Sequence, residues 1–458
     1  MDIETGKKFV RERNYLEAEK LFLNLLNKDE NLMLVNYFLG IIYFELQNYK
    51  KSKLHYKNSL KLNKNSKEIL INLAYLEQSY GNFKEAKEIY EKLLNLNPYY
   101  IETYYRIYLL NSDYLKKEYE SIFLEIRNKK NVNLHERALA NYLLSKIEKK
   151  RGEYKLEIDY LKKSHSDTFN SKKNYNLQSN FYYQEIIAKK YKKIIFTNEN
   201  KKNLDFEKYF PIFIVGLPRS GSTLVETILS DNDKIKGLGE NSVINMAVLN
   251  QLSGKIFSKD FDKNNFELLI DRLTLESFVS KKFNNLFEFD KNIRFVDKTL
   301  ENFFNIDIIL NLFPNAKFLH CFRNLNDSVI AIFQSLLPTL SWTHNLDDII
   351  NYIEVYLEVI NYFKKKYPDK IMDIKLENLT EDNEKEGERI FNFCNLDWNN
   401  RSFNFDNKKD LQIKTTSNVQ LREKVTNYDY DKYKKYKFIL NDYKKKLNGF
   451  KTEVVNYE

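Results

Sequence analysis

The sequence has little cysteine and no long apolar run. Its two cysteines, Cys321 and Cys394, lie among apolar residues. Two cysteines are too few for a disulfide framework or a zinc site, so we expect both to be small buried side chains. A membrane-spanning helix needs roughly 18 or more consecutive apolar residues, and the N-terminal stretch MDIETGKKFVRERNY is polar, unlike a signal peptide. The sequence therefore predicts a cytoplasmic protein without a membrane span.

Length and charge limit the class of protein further. The chain has 458 residues, of which 43% are hydrophobic, so it can bury real cores and is expected to form two or three domains. Its formal net charge of +10 suggests an acidic partner, without choosing among nucleic acid, a membrane surface, an acidic protein and a phosphorylated or sulfated ligand. Because the lysines are scattered among glutamates, we interpret most of them as solvated surface and expect no nucleic-acid partner.

The first third of the chain repeats with a period of 34 residues. An Asn followed by an aromatic residue recurs at positions 14, 48 and 82, and each pair is expected to open the second helix of a hairpin. Small residues stand eight before and four after each Asn, and an aromatic stands eight after it: Gly6, Ala18 and Phe22; Gly40, Ser52 and Tyr56; Ala74, Ala86 and Tyr90. Small residues let two helices cross closely, and the aromatic fills a groove. With Pro98 closing the third unit, the pattern resembles the tetratricopeptide repeat, a helical solenoid.

Beyond these repeats the markers fade. Residues 101–130 are predicted to be helical, and residues 135–164 to form a helix pair with a turn at Gly152 that caps the solenoid. We assign residues 1–165 to a tetratricopeptide-repeat domain, residues 166–205 to a helical connection and residues 206–458 to a second domain.

The second domain alternates strand-like and helical patterns. Short apolar runs occur at residues 212–215, 294–296, 317–322 and 371–375, and helical segments separate them. This alternation predicts a mostly parallel sheet with right-handed crossovers. The expected fold is therefore multi-domain, an α-helical solenoid followed by an α/β domain. In such sheets ligands bind at the carboxyl ends of the strands.

The stretch FIVGLPRSGSTL, residues 213–224, looks like a P-loop, but Ser222 stands where that motif has its lysine. Its glycines permit a tight turn, and successive N–H groups ahead of a helix form an anion nest. Arg219 adds a planar guanidinium suited to a tetrahedral oxyanion. Without the lysine the loop is poorly equipped for a triphosphate and its Mg²⁺, which disfavours a nucleotide-triphosphate kinase. The loop residues predicted to bind the anion are Arg219, Ser220, Gly221, Ser222 and Thr223.

The loop resembles the 5′-phosphosulfate-binding loop of sulfotransferases, which use 3′-phosphoadenosine 5′-phosphosulfate (PAPS). Further segments follow in the order of that family: GLGE ends at Glu240, VDK ends at Lys298, FLHCFRN contains Arg323, and TTSNVQLR contains Ser417 and Arg422. With the repeats upstream, the chain is similar to bacterial tetratricopeptide-repeat sulfotransferases, which are related to tyrosylprotein sulfotransferases. The resemblance implies a P-loop-like sulfotransferase domain.

The resemblance also implies roles for these residues. Glu240 and Lys298 stand at the family's catalytic positions, and Arg323 stands at the position that binds the 3′-phosphate. Ser417 and Arg422 stand at late nucleotide-contacting positions. The sequence departs from the family at one place, because Ala331 occupies the position of a serine, eight residues after Arg323.

A nearby residue offers a substitute for that serine. Ser328 carries a hydroxyl five residues after Arg323, on the same predicted helix, so we include it among the candidate donor-binding residues. The 3′-phosphate site is therefore expected to be either rebuilt around Ser328 or weakened.

The chemistry that these residues permit is in-line sulfuryl transfer. Glu240 would take the proton of the acceptor hydroxyl, while Lys298 and Arg219 stabilise developing negative charge, and no metal is required. The expected acceptor is a tyrosine in a protein or peptide, presented by the repeat groove. A glycan or small-molecule acceptor, or a repeat scaffold with an inactive nucleotide-binding domain, remains as an alternative.

Other polar and aromatic residues near these motifs have more ordinary explanations. Asp297, next to the proposed catalytic lysine, is interpreted as structural, and His320 as a hydrogen-bonded core residue. Trp342 and His344 lie in a loop-like segment and either line an acceptor pocket or pack in the core.

Overall fold

The computed structural model describes residues 2–198, 206–230, 232–258, 260–284, 294–398, 412 and 426–453. The chain forms two compact units. The first comprises Met1–Ile147, Lys281–Phe289 and Phe405–Lys424, and the second comprises Glu148–Ser280, Asp290–Asn404 and Val425–Glu458. Ser417 and Arg422 lie outside the described residues, so their predicted nucleotide contacts stay predictions, as do the domain boundaries at residues 165 and 205.

The first unit is built from helical hairpins. Its helices are α1 (Ile3–Arg11), α2 (Tyr15–Asn27), α3 (Leu32–Glu45), α4 (Tyr49–Leu62), α5 (Lys67–Ser79), α6 (Phe83–Leu96), α7 (Ile101–Leu110), α8 (Glu120–Asn128) and α9 (Leu134–Arg151), of which α9 runs on into the second unit. As predicted, helices begin directly after Asn14, Asn48 and Asn82. The predicted helical solenoid is confirmed.

The packing of the hairpins explains the spacing of small and aromatic residues. A Cβ added at Gly40 would lie 2.5 Å from the ring of Tyr56, so the missing side chain leaves room for this ring against the facing helix. Gly6 and Phe22 make the same contact one repeat earlier, at 2.6 Å. Phe22 also stacks on Phe38 of α3, with ring centroids 5.2 Å apart. The aromatic side chain therefore fills the groove within its own hairpin and contacts the next one.

The second unit begins with helices and continues into an α/β domain. In chain order its elements are α10 (Tyr154–Ser171), α11 (Lys173–Phe181), α12 (Ile187–Lys190), β1 (Ile194–Thr197), β2 (Ile212–Gly216), α13 (Ser222–Leu229), β3 (Ile235–Gly237), α14 (Val243–Ile256), β4 (Leu268–Asp271), α15 (Arg272–Asn284), β5 (Arg294–Asp297), α16 (Ile306–Leu312), β6 (Lys317–Phe322), α17 (Leu325–Phe333), α18 (Leu346–Lys366), β7 (Ile371–Lys375), α19 (Leu376–Glu381), α20 (Asn383–Phe393) and α21 (Lys444–Glu453). The 3₁₀ segments Leu300–Asn305 and Lys434–Tyr443 interrupt this alternation.

The main sheet has five strands in the order β3-β5-β2-β6-β7, and every neighbouring pair is parallel. β2 and β6 form its fully buried middle, as the apolar runs predict. The sequence analysis did not predict β3, which is short and half-buried, or the separate parallel pair of β1 and β4. The predicted parallel sheet is confirmed, and its carboxyl-end edge gathers the segments after β2, β3, β5 and β6.

Several residues near the sheet have the packing roles expected of them. His320 is fully buried in β6, and its Nδ1 lies 2.7 Å from Asp373 while its Nε2 contacts the hydroxyl of Tyr356. Both cysteines are buried. A search of the described part of the chain finds no helix that is long and apolar enough to cross a membrane.

Candidate active site

The loop after β2 is shaped by backbone that only glycine tolerates. Gly216 has a φ of 143°, and a Cβ there would lie 2.2 Å from the carbonyl oxygen of Cys321 in β6. Gly221 has a φ of 86°, and a Cβ there would lie 2.6 Å from Leu376. Arg219 also adopts a left-handed conformation, with a φ of 67°. The loop is therefore a tight turn that brings the chain from the central strand directly to the first residue of α13.

The start of α13 provides the donors of an anion site. The first N–H groups of a helix have no acceptor within the helix and carry its positive dipole end, so they favour a phosphate or sulfate. Ser222 is buried at the first position, and Thr223, next to it, is partly exposed. The hydroxyl of Ser220 donates to the carbonyl of Leu217 at 2.6 Å, which stabilises the turn itself. The sequence-predicted loop residues thus form one structural element.

Lys298 enters this site from the neighbouring strand β5. Its side chain is 1% exposed, and its Nζ lies 3.0 Å from Oε1 of Glu240 and 3.5 Å from the hydroxyl oxygen of Thr223. Burial alone would lower the pKa of Lys298, but the carboxylates of Glu240 and Glu226 outweigh burial and raise it. The ammonium group is therefore held in its charged form beside the loop.

Glu240 comes from the segment that follows β3 and stays open to solvent. Its side chain is 58% exposed although it pairs with the buried Lys298. Behind this pair, Asp297 is buried and accepts the N–H of Thr299 at 2.8 Å, and burial raises its pKa to about 6. Asp297 makes no ion pair with Lys298 among the described contacts, which agrees with its predicted structural role. An exposed carboxylate next to a buried cation is an arrangement that can receive a proton from a substrate.

Glu226 is a further acidic residue at this site, and the sequence analysis missed it. It lies on α13, one turn after Thr223, and its Oε2 is 3.5 Å from Nζ of Lys298. Its Oε1 accepts the backbone N–H of Gly239 at 3.0 Å. Burial raises the pKa of Glu226, and the charge of Lys298 partly offsets that effect. A signal was present in the sequence, because Glu226 is the one charged residue in the helical segment STLVETIL.

Arg323 follows β6 and forms a second cationic centre. It is 6% exposed; its Nη2 donates to the carbonyl of Asp327 at 2.7 Å, and its buried Nε has no hydrogen-bond partner among the described residues. A buried donor without an acceptor costs free energy unless a ligand satisfies it. Glu377 supports the turn, since its Oε1 accepts the N–H of Asn324 at 2.9 Å.

Two residues that bear on the predicted 3′-phosphate site, Ser328 and Ala331, lie on α17. Ser328 is 2% exposed, and its hydroxyl donates to the carbonyl of Asn324 at 3.0 Å. To donate to a phosphate, this hydroxyl would have to turn away from the carbonyl. Ala331 is also buried, one turn further along the helix. The hydroxyl of Ser328 is already used by a carbonyl, and alanine has no hydroxyl to donate. The assignment of Ser328 to the 3′-phosphate therefore stays a prediction.

Tyr433 lies at the second cationic centre, and it was not predicted from the sequence. Its ring centroid lies 5.0 Å from the guanidinium carbon of Arg323. Burial would raise the pKa of Tyr433, but the positive charges of Arg323, Lys432 and Arg219 outweigh burial and lower it. Arg219 and Arg323 therefore both act on one phenol. One of several tyrosines in a lysine-rich tail gives no sequence signal for such a position.

Trp342 and His344 are packing residues. Trp342 is buried and stacks on Tyr352 with ring centroids 3.8 Å apart. His344 is buried against His165, with their Nδ1 atoms 3.2 Å apart. His344 also lines a cavity of about 730 Å³ between α10, the start of α18 and the segment Lys434–Tyr443. Residues predicted to be catalytic or donor-binding do not line this cavity.

Two family models match the chain. Residues 211–400 match the model described as the sulfotransferase family, and residues 35–66 and 67–100 match the tetratricopeptide repeat. The chain therefore carries tetratricopeptide repeats and a sulfotransferase-family domain. The matched domain contains the loop, Glu240, Lys298 and Arg323, and the repeat matches cover the second and third predicted units.

Two curated proteins, both named as uncharacterized, resemble parts of the chain. An uncharacterized protein of Aquifex aeolicus (strain VF5) is 27% identical over 383 residues, which are 80% of this chain and 48% of that protein. The uncharacterized protein ycf37 of Pyropia yezoensis is 36% identical over 77 residues, 16% of this chain and 42% of that protein. The chain spans about half the length of the curated relatives that it matches.

Solved structures similar to this chain are sulfotransferases. The sulfotransferase domain from the Synechococcus PCC 7002 olefin synthase matches with a TM-score of 0.36 and 14% identity, covering 51% of this chain and 90% of that domain. Sulfotransferase STF1 from Mycobacterium tuberculosis H37Rv matches with a TM-score of 0.31 and 12% identity, covering 67% of this chain and 97% of that protein.

Proposed function

We propose that the protein transfers a sulfuryl group from PAPS to the hydroxyl of a tyrosine in a protein or peptide. The observation that carries this proposal is the position of Lys298, whose Nζ approaches both the exposed carboxylate of Glu240 and the hydroxyl of Thr223 in the anion loop. A proton acceptor, a cation and an anion site thus meet at the carboxyl ends of neighbouring strands. The sulfotransferase-family match over residues 211–400 supports the reaction class.

The donor is proposed to bind at both cationic centres. The N-terminus of α13, with Arg219 and the loop hydroxyls, suits the 5′-phosphosulfate. Arg323 suits the 3′-phosphate, because its buried Nε lacks a partner among the described residues and its guanidinium can form charge-assisted hydrogen bonds with phosphate oxygens.

The proposed transfer needs three groups. The acceptor oxygen attacks sulfur as the bond between sulfur and the bridging phosphate oxygen breaks, and the acceptor proton passes to Glu240. Lys298 and Arg219, with the N–H groups of α13, stabilise the charge that develops on the sulfuryl oxygens and on the leaving phosphate oxygen. The products are a sulfate ester and adenosine 3′,5′-bisphosphate, and the step uses no metal ion.

A protein or peptide acceptor is proposed because the first unit carries tetratricopeptide repeats, which commonly present a surface to other proteins. An acceptor screen with radiolabelled PAPS tests this assignment. Tyrosine peptides should be labelled, with phenylalanine peptides of the same sequence as controls. Label on glycans or small phenols but not on peptides would overturn the acceptor class and keep the reaction. Bisphosphate binding without transfer to any acceptor would indicate an inactive domain on a repeat scaffold.

Donor identity has a separate test. Because Ser222 replaces the lysine of a nucleotide-triphosphate loop and Arg323 offers a second anion site, adenosine 3′,5′-bisphosphate should bind more tightly than ATP and without Mg²⁺. Calorimetry with both nucleotides, with and without Mg²⁺, measures this. Tighter binding of Mg²⁺-ATP would exclude the proposed donor.

A further inference from the structure

Glu226 links three parts of the candidate site. It stands on α13, which carries the anion loop, and its two carboxylate oxygens reach different segments. Oε1 accepts the N–H of Gly239, the residue directly before Glu240, at 3.0 Å. Oε2 lies 3.5 Å from Nζ of Lys298. The helix that would hold the donor is therefore tied directly to the segments that carry the proton acceptor and the cation.

The backbone closes this connection into a ring. The N–H of Lys298 donates to the carbonyl of Gly239 at 3.0 Å. Gly239 thus receives Glu226 on its N–H and Lys298 on its carbonyl, while it holds a left-handed φ of 62°. These two hydrogen bonds hold the backbone of Gly239 in place. Because Glu240 is the next residue, they also fix where its backbone begins.

The charges explain why a second carboxylate is useful here. Lys298 is almost fully buried, and in this structure Glu240 and Glu226 are its two anionic partners among the described ion pairs. To take a proton from an acceptor, Glu240 has to turn from Lys298 toward the acceptor hydroxyl. If Glu240 were the only counterion, this movement would leave a buried ammonium without compensation, which is strongly unfavourable. Glu226 stays in place and keeps Lys298 compensated.

We propose that Glu226 is a positioning residue for sulfuryl transfer, which orients Glu240 through Gly239 and holds Lys298 when Glu240 engages the acceptor. This inference rests on the proposed function. Glu226 touches neither donor nor acceptor in this role. Its removal should therefore change the rate of transfer more than the binding of the nucleotide.

The test compares two substitutions that separate the hydrogen bond from the charge. Glu226→Gln keeps an oxygen that can accept from Gly239 but removes the counterion of Lys298, so kcat should fall by about tenfold or more while the Kd of adenosine 3′,5′-bisphosphate stays within about twofold. Glu226→Ala loses both contacts and should lower kcat further and also lower Tm.

A matched control comes from another buried ion pair of the same unit. Glu276 is 1% exposed and pairs with Arg272 at 3.0 Å. Glu276→Gln should lower Tm and leave kcat per folded molecule unchanged. Glu226→Gln with kcat within about twofold of the unaltered protein would overturn the inference, and so would equal losses in kcat and bisphosphate affinity. An unaltered protein that turns over no PAPS would instead overturn the proposed function, and the inference with it.

Discussion

Nζ of Lys298 lies 3.0 Å from Oε1 of Glu240, although the two residues are 58 positions apart in the chain. The parallel pairing of β3 with β5 creates this proximity, because it brings the two strand ends to the same edge of the sheet. One member of the pair is buried and the other is exposed, so their substitution should have different consequences.

Glu240→Gln should decrease kcat by roughly 10²-fold or more, because the amide cannot accept the acceptor proton. Its Tm should change little, since the side chain is largely exposed. Steady-state kinetics with a labelled acceptor and a thermal melt measure both quantities. If Glu240 were only a helix-capping residue before α14, the substitution would lower Tm and leave kcat per folded molecule unchanged.

Lys298→Met should also decrease kcat by about 10²-fold, because the charge that stabilises the leaving oxygen is lost. It should lower Tm as well, since Glu226 is left next to Lys298's former position without its cation. Adding Glu226→Gln to Lys298→Met should recover part of the lost Tm without recovering kcat. Full activity of the single variant would show that Lys298 has no part in transfer.

Arg323→Ala should weaken binding of adenosine 3′,5′-bisphosphate by roughly 2–3 kcal/mol, the contribution of charge-assisted hydrogen bonds to a phosphate. Binding of adenosine 5′-phosphosulfate, which lacks the 3′-phosphate, should change much less. Arg323→Lys keeps the charge but loses the planar guanidinium. Its affinity for the bisphosphate should therefore lie between those of the unaltered protein and of Arg323→Ala. Calorimetry with both ligands measures the difference, and equal losses would place the 3′-phosphate elsewhere.

Ala331→Ser and Ser328→Ala test how the 3′-phosphate site is built. If the site has simply lost a hydroxyl, Ala331→Ser should tighten bisphosphate binding by up to about 1 kcal/mol, the net contribution of one hydrogen bond. If Ser328 has taken over this contact by turning from the carbonyl of Asn324, Ser328→Ala should weaken binding and Ala331→Ser should do little. An absence of effect from both changes would mean that the pocket has been assigned to the wrong part of α17.

Glu301 gives the domain a predicted pH dependence. Burial raises its pKa to about 7, and the nearby carboxylates of Glu240 and Asp297 add to this effect. Between about pH 4.5 and about pH 7, the carboxyl group of Glu301 is protonated in the folded state and ionised in the unfolded state. The contribution of Glu301 to the free energy of unfolding therefore falls as the pH rises through this range. Glu301→Gln should raise Tm at pH 8 relative to the unaltered protein and leave it nearly unchanged at pH 4.5. Glu30→Gln, at an exposed position, is the control and should show no such difference.

The sequence predicted the main architecture because its signals are local. Four strands of the main sheet are rich in apolar residues, and the repeat hairpins follow from small residues such as Gly40, which leave room for the aromatic ring opposite. β3 escaped prediction because it is only three residues long and has a single large apolar residue, Ile235. β1 and β4 have four residues each, and apolar runs as short as IIF and LLI cannot be distinguished from parts of a helix by their pattern.

Some members of the candidate site could be predicted from the sequence, but its electrostatics could not. Glu240, Lys298 and Arg323 follow from motifs, yet the burial of Lys298 depends on Glu226 and Glu240, which come from two other segments. A pattern read along one segment contains no information on such partners. The same holds for Tyr433, whose position over Arg323 results from the return of the C-terminal segment to the strand ends.

The strand order has a consequence for how this domain can change its specificity. β2 stands in the middle, with β6 and its Arg323 on one side and β5 and β3, followed by Lys298 and Glu240, on the other. In the proposed function, the 3′-phosphate site at Arg323 and the proton acceptor Glu240 therefore lie on opposite sides of the central strand. On that proposal, exchanging loops on the β3 side in engineering should alter acceptor preference while Arg323 and its donor contact are retained.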